Sequence, residues 1–443
     1  MAPSGSQAEK KDDVPKIQKF LRVYVFLSMF SWSLTSLDEY ASGGGMTFDK
    51  LFLRMLPLVM TVGYCFLGPL RKNLRGLRRP VFWPLWIYLI FGVLCGFRGA
   101  VSLLPLWKGF EIFATMVWVT AMCPDEKSLM REFREVSFLI ELLMYATVVL
   151  AIINPAQGFL KSYSVIPWLN GYLPIINPNA LGFLSLVVLL RHLFLPSRYK
   201  FLRLIAIGLI FLCAQSRTSY ATFAVALLLN VYDGLKSRKL GRVFAATGGG
   251  VLVALFALGN FETILSIVRR GESSEEISSL SGRTDYWDVA LKYADWFGGG
   301  LATGSRSLIY VAADTFYKGR VSVHNSFIEV ILDAGYIGGA CYIATISVNI
   351  LRQLVRVINN PRAYDGIFAA CAIMFASRGM TSIVLAVYSP DFYLMILFWM
   401  YLSVSSDKKI QVLPRPVPRV RHDVSFRSDE DNSGNLTPSL PVA

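Results

Sequence analysis

The chain has 443 residues, 54% hydrophobic and 17% charged, with a net charge of +14 and a mean hydropathy of +0.48. Apolar stretches recur about every thirty residues, which excludes an ordinary soluble domain and fits a polytopic membrane protein. The basic excess lies in alternate short loops and in a tail, so a nucleic-acid partner is not indicated.

Windows long enough to cross about 30 Å of hydrocarbon predict spans at 20–37, 51–70, 81–97, 100–121, 136–153, 173–195, 201–216, 218–232, 242–260, 326–350, 364–388 and 390–404. The fold class expected is therefore an all-α polytopic membrane protein of about twelve transmembrane helices (ten to twelve), with one long outer loop containing an amphipathic helix. Lys10, Lys11, Lys16 and Lys19 precede the first apolar run, but no small-x-small cleavage site follows it, so it reads as an uncleaved anchor after a cytoplasmic segment at 1–19. Residues 20–260 then hold nine helices, 261–325 the loop, 326–405 the last three helices, and 406–443 a tail. That tail is rich in Pro, Ser, Asp and Asn, a composition that buries no core.

Orientation follows from the basic residues of alternate loops. Arg71, Lys72, Arg75, Arg78 and Arg79 mark one side, as do Lys127, Arg131 and Arg134, then Arg191, Arg198, Lys200 and Arg203, and later Arg352, Arg356 and Arg362. The opposite loops offer Lys50 and Arg54 beside Asp38, Glu39 and Asp49, then Arg98 alone, Lys161 alone and a tight turn at Arg217. Both termini are expected inside, and the loop at 261–323 outside.

Cys65, Cys95, Cys123, Cys213, Cys341 and Cys371 fall in or beside predicted helices with no Cys-x-x-Cys pair, and read as small packing residues. His192, His324 and His422 are far apart in sequence, so no metal centre is expected, and no cofactor. The two halves show no self-similarity of the kind that marks many transporters.

Within the long loop, Trp287, Ala290, Leu291, Ala294 and Phe297 recur at helical spacing, predicting one amphipathic helix over Arg283–Phe297 that ends at Gly298-Gly299-Gly300. Thr284 or Asp285 can cap its start, and its tryptophans suit a membrane surface. The following Leu301-Ala302-Thr303-Gly304-Ser305 lacks the Lys of a phosphate loop and reads as a turn. Arg283, at a helix N-terminus, gains nothing from the dipole unless an anion holds it there.

The chain re-enters its apolar runs through His324-Asn325-Ser326-Phe327-Ile328-Glu329. Ser326 and Glu329 match a capping box, a structural role that accounts for Glu329 better than catalysis. Asp333 lies one turn on and, as an intramembrane carboxylate, is a functional candidate. His324 has no such structural role, and its imidazole can take a proton near neutral pH. Arg217, in Gln215-Ser216-Arg217-Thr218-Ser219, joins two short apolar segments that can form a broken pair of helices with a polar junction. Arg217, Arg283 and His324 together predict a cavity with two permanent cations and one base. Paired guanidinium groups suit a diphosphate, and outside the cell the natural activated donor is a lipid-linked one.

Ser281-Gly282-Arg283-Thr284-Asp285-Tyr286-Trp287 and the run from His324 to Gly338 resemble the signature region of the bacterial O-antigen ligase and polysaccharide polymerase family. Gln215-Ser216-Arg217-Thr218 and Asn177-Pro178-Asn179-Ala180-Leu181 resemble its preceding elements, so the likeness covers roughly 175–345. The resemblance implies a metal-independent, inverting glycosyltransferase of the GT-C type in the inner membrane. It would use an undecaprenyl-diphosphate-linked glycan donor at the periplasmic face. Arg217 and Arg283 would hold the departing diphosphate, Arg98 would be the basic residue of an early outer loop, and His324 would activate the acceptor hydroxyl. Asn325 and Glu329 would support the acceptor or the local structure. The acceptor would be a lipid-linked repeat unit in a polymerase or lipid A core in a ligase, with the exopolysaccharide-like Arg283–Trp287 region tilting toward polymerisation. Flippase and chain-length or export proteins are the further partners implied. A transporter or flippase is the reading from another class; it calls for deep charges, of which Glu111, Glu141, Asp333 and Arg378 are the chief ones.

Overall fold

The computed structural model describes residues 15–30, 48–98, 103–160, 166–236, 283–304, 323–359, 364–382 and 388–406. The predicted span at 242–260 and the tail lie outside these residues. Contact clustering places everything up to Ser406 in one unit.

The described fold is helical apart from two short hairpins. Its helices are α1 (Lys16–Ser28), α2 (Phe48–Leu67), α3 (Trp83–Gly96), α4 (Leu103–Met122), α5 (Glu126–Ile153) and α6 (Pro178–Phe194). They continue as α7 (Lys200–Ala214), α8 (Arg217–Lys236), α9 (Arg283–Lys292), α10 (Ser326–Asn359), α11 (Asp365–Thr381) and α12 (Pro390–Ser406). Between α5 and α6, β1 (Phe159–Leu160) pairs antiparallel with β2 (Trp168–Leu169), and β3 (Gly171–Tyr172) with β4 (Ile175–Ile176).

By length and composition α5 and α10 can each cross a bilayer, and a third span is possible if Leu53–Leu67 and the 3-10 helix Pro69–Arg78, bent by 97°, count as one. Several expected spans are shorter helices: α6 yields its first residues to the β3–β4 hairpin, and α1 stops at Ser28. The bend after α2 has a local cause, since a methyl at Gly68 would overlap the Tyr64 carbonyl and Pro69 follows without a donor.

α12 is apolar on every side and accordingly sits at the centre, buried from Phe392 through Leu402. It packs on α4, α5 and α11, while α10 packs on α3 and α11, and α11 also on α6 and α8. Buried charges are largely matched. Arg22 on α1 holds Glu132 on α5 at 2.8 Å, and Tyr393 on α12 donates to the same carboxylate at 2.6 Å. Glu111 receives Lys108 at 2.7 Å and Trp107 at 2.9 Å. Glu141 receives Tyr145 at 2.9 Å and Arg191 at 3.3 Å, with His192 and Arg203 beside it. Two of the four deep charges that a transport path would use are therefore tied into ion-pair clusters that join helices.

The segment after α9 departs from expectation. The predicted helix over Arg283–Phe297 ends at Lys292, because the Asp295 carboxylate accepts from the backbone N–H groups of Phe297 and Gly298 and turns the chain. The Trp287 indole donates to the Val323 carbonyl at 3.0 Å, beside a small core of Ala290, Ile328 and Leu332. The glycine run is a turn, as expected, but one pressed into the bundle. α10 is kinked at Gly335 (φ 70°), and the freed groups find partners in the turn. Gly299 and Gly300 donate to the carbonyls of Leu332 and Asp333 at 2.8 Å each, Tyr336 donates to Asp295 at 2.9 Å, and Leu301 donates to Gly92 of α3 at 3.0 Å. Asp333, a functional candidate from its depth, accepts the Ala302 N–H at 2.9 Å in this joint.

Candidate functional site at one end of the bundle

Five segments meet where α11 ends, and local chemistry shapes each of them. Asn177 caps α6, its Oδ1 accepting the Ala180 N–H at 2.8 Å, with Pro178 as the first helical residue. Gly182, one turn on, lies so close to Ser216 that a methyl would overlap the Ser216 side chain. The α6 start is thereby locked against the break between α7 and α8.

That break is the polar junction expected around Arg217. Gln215 ends α7 in the left-handed region (φ 49°), buried, and its side-chain amide donates to the Ile166 carbonyl at 2.8 Å. Ser219 donates to Ser216 at 2.9 Å, and Arg217 opens α8. The next turns of α8 run along the end of α11. Thr218 Oγ1 donates to Thr381 Oγ1 at 3.4 Å, and the Thr222 and Ser377 hydroxyls lie 2.8 Å apart.

The same end of α11 receives α10. Ser326, the first residue of α10, donates its hydroxyl to the Ser382 carbonyl at 2.6 Å. The cap is Asn325 before it, its Oδ1 accepting the N–H groups of Phe327 at 2.9 Å and Ile328 at 3.3 Å. Asn325 is thus a structural support, and Glu329 lies buried in the first turn of α10. His324, half-buried just before the cap, takes a left-handed backbone (φ 50°). The Trp287–Val323 hydrogen bond holds α9 against the residue preceding His324. Arg283 opens α9; its side chain lies outside the described residues.

The N-termini of α8 and α10 are therefore joined through Thr381 and Ser382, and α9 is braced on the approach to α10. Helix N-termini carry partial positive charge and unbonded N–H groups, so their convergence favours an anion. Arg98 follows α3. It is exposed, its guanidinium 5.4 Å from the Phe297 ring, beside the turn that docks at Gly335.

Sequence reasoning treated Arg378 only as a deep charge. It lies on α11 beside Ser377 and one turn before Thr381, 4% exposed, with its guanidinium 5.5 Å from the Phe183 ring of α6. An arginine inside an apolar run was the available signal.

Residues 180–343 match the model of a family described as O-antigen ligase. That segment is similar to the O-antigen ligase family. It starts at the capped N-terminus of α6, contains Arg217, Arg283 and His324, and ends within α10 past the Gly335 break. Members of that family are glycosyltransferase-like enzymes, and the match together with the apolar helices supports a membrane protein. No curated protein matches the chain.

Proposed function

We propose that the protein is a polysaccharide polymerase that transfers glycan from an undecaprenyl-diphosphate-linked donor to a lipid-linked repeat unit at the periplasmic face of the inner membrane. The observation that carries this reading is the meeting, at the end of α11, of the α8 and α10 N-termini, which bear Arg217 and His324 and lie in the segment similar to the O-antigen ligase family. Diphosphate departure gathers negative charge on the oxygen that leaves the anomeric carbon. Cations and helix dipoles already aimed there stabilise it without reorganisation. Arg217 and Arg283 fill that role, and His324 orients or deprotonates the attacking hydroxyl from the opposite face, giving inversion. Neither step requires a metal or ATP.

Arg217→Ala and Arg283→Ala should each lower transfer by about 10²- to 10³-fold, the usual effect of removing one preorganised oxyanion donor, while membrane insertion is unchanged. Full polymer output from both variants would sink the diphosphate clamp. The matched family, described as O-antigen ligase, favours a second reading, transfer to lipid A core. Purified protein given only a defined lipid-linked repeat separates the two: a ladder of products requires a polymerase, and product formed only when lipid A core is added requires a ligase.

A further inference from the structure

Most buried charges among the described residues have a matched partner, and Arg378 with Asp391 is an exception. Both are almost wholly buried, at 4% and 5% exposure. Arg378 Nε and Asp391 Oδ1 each lack a hydrogen-bond partner among the described residues. The two charges attract each other, but no hydrogen bond or ion-pair contact joins them, unlike Arg22 with Glu132. A guanidinium held this way forgoes both water and a full counter-charge, which is costly in a protein interior.

Its surroundings tell what would complete it. Ser377 contacts Thr222 of α8, five residues from Arg217; Ser382 contacts Ser326 of α10, two residues from His324; and Phe183 of α6 faces the guanidinium itself. Arg378 thus stands one turn below the junction that gathers the expected site, yet it lies beyond residues 180–343 and no spacing pattern in the sequence pointed to it. Asp391, in the first turn of α12, supplies the opposite charge without touching it.

We propose that Arg378 is a third guanidinium of the anion site, taking a phosphate oxygen of the lipid diphosphate, with Asp391 holding it in position when the site is empty. This deepens the functional reading above and rests on it for the identity of the donor. Each non-bridging oxygen of a diphosphate can accept more than one hydrogen bond, so a third guanidinium beside Arg217 and Arg283 still finds an acceptor.

The test uses the full chain in lipid nanodiscs, with farnesyl diphosphate and inorganic pyrophosphate as binding probes beside the transfer assay. Arg378→Met leaves Asp391 without a counter-charge and can simply misfold, so the decisive variant is Arg378→Met with Asp391→Asn, which removes both charges together. The double variant should fold yet bind farnesyl diphosphate about tenfold to a hundredfold more weakly, the range for losing one charged hydrogen bond, and Arg378→Lys should recover part of that loss. A double variant that binds and transfers like the parent protein would show that Arg378 only balances Asp391, overturning the subsite alone. A parent protein that binds diphosphate through Arg378 but transfers no glycan would instead overturn the enzyme reading and leave the subsite standing. Absence of diphosphate binding in the parent protein would overturn both.

Discussion

His324 sits in a backbone conformation that few side chains tolerate (φ 50°), and this decides how its role can be tested. Replacement by alanine changes both the imidazole and the strain, because alanine is poorly suited to left-handed backbone. Asparagine tolerates that region, so His324→Asn should keep the thermal midpoint within a few degrees while impairing acceptor use; unchanged turnover with purified substrates would remove His324 from the chemistry. Asn325→Ala isolates the neighbouring structural role. Loss of the cap should cost about 1 kcal/mol, seen as a lower unfolding midpoint, with donor affinity retained. The sequence shows which polar residues cluster before α10, but not which of them caps it. Ser326 fits the cap pattern as well as Asn325, but the helix begins at Ser326 itself, so it is the Asn325 side chain that stands before the first turn and accepts its N–H groups.

At the scale of elements, the joint between α10 and the turn after α9 governs the architecture. Gly335 combines a positive φ with direct contact to the Trp296 backbone, so any side chain there meets both strain and overlap. Gly335→Val should displace the turn and cost about 3 kcal/mol or more, read as loss of folded protein in detergent; a variant with the parent midpoint would refute the close joint. Gly208, which has open space around its Cα on α7, supplies the control: Gly208→Ala should be neutral or slightly stabilising. The broken pair α7–α8 was legible because Gln-Ser-Arg-Thr carries local turn chemistry, whereas the start of α6 at Pro178 under the Asn177 cap was not read from the apolar run over 173–195. The early end of α9 was not legible either, since Trp287 to Phe297 keeps helical spacing and only the Asp295 turn and its pairing with Tyr336 break it.

Across the whole molecule, the helical membrane class was legible from hydropathy alone, whereas span lengths were not. Apolar runs mark where chain is buried without distinguishing a crossing helix from the α12 core or from the hairpin before α6. Arg378 escaped for a related reason: its significance lies in what α8, α10 and α6 bring to it, and no local pattern encodes that convergence. Orientation is open to direct measurement. In a cysteine-free background, single cysteines at the exposed positions Tyr199 and Tyr293 should react with a membrane-impermeant thiol reagent from opposite sides, Tyr199 from the cytoplasm and Tyr293 from the periplasm. Labelling of both from one side would reverse the proposed placement of the site.

The interlocking of residues 295–301 with α3 and α10 also constrains how the protein is made. Gly299 and Gly300 take their acceptors from α10, which leaves the ribosome after them, while Leu301 takes its acceptor from α3, which leaves long before. Until α10 arrives, those amides must stay hydrated, because hydrocarbon gives them no partner. The turn is therefore a late arrival in the bilayer, drawn in only as α10 inserts, and completion of the site waits on α11 behind it, whose end joins α8 to α10.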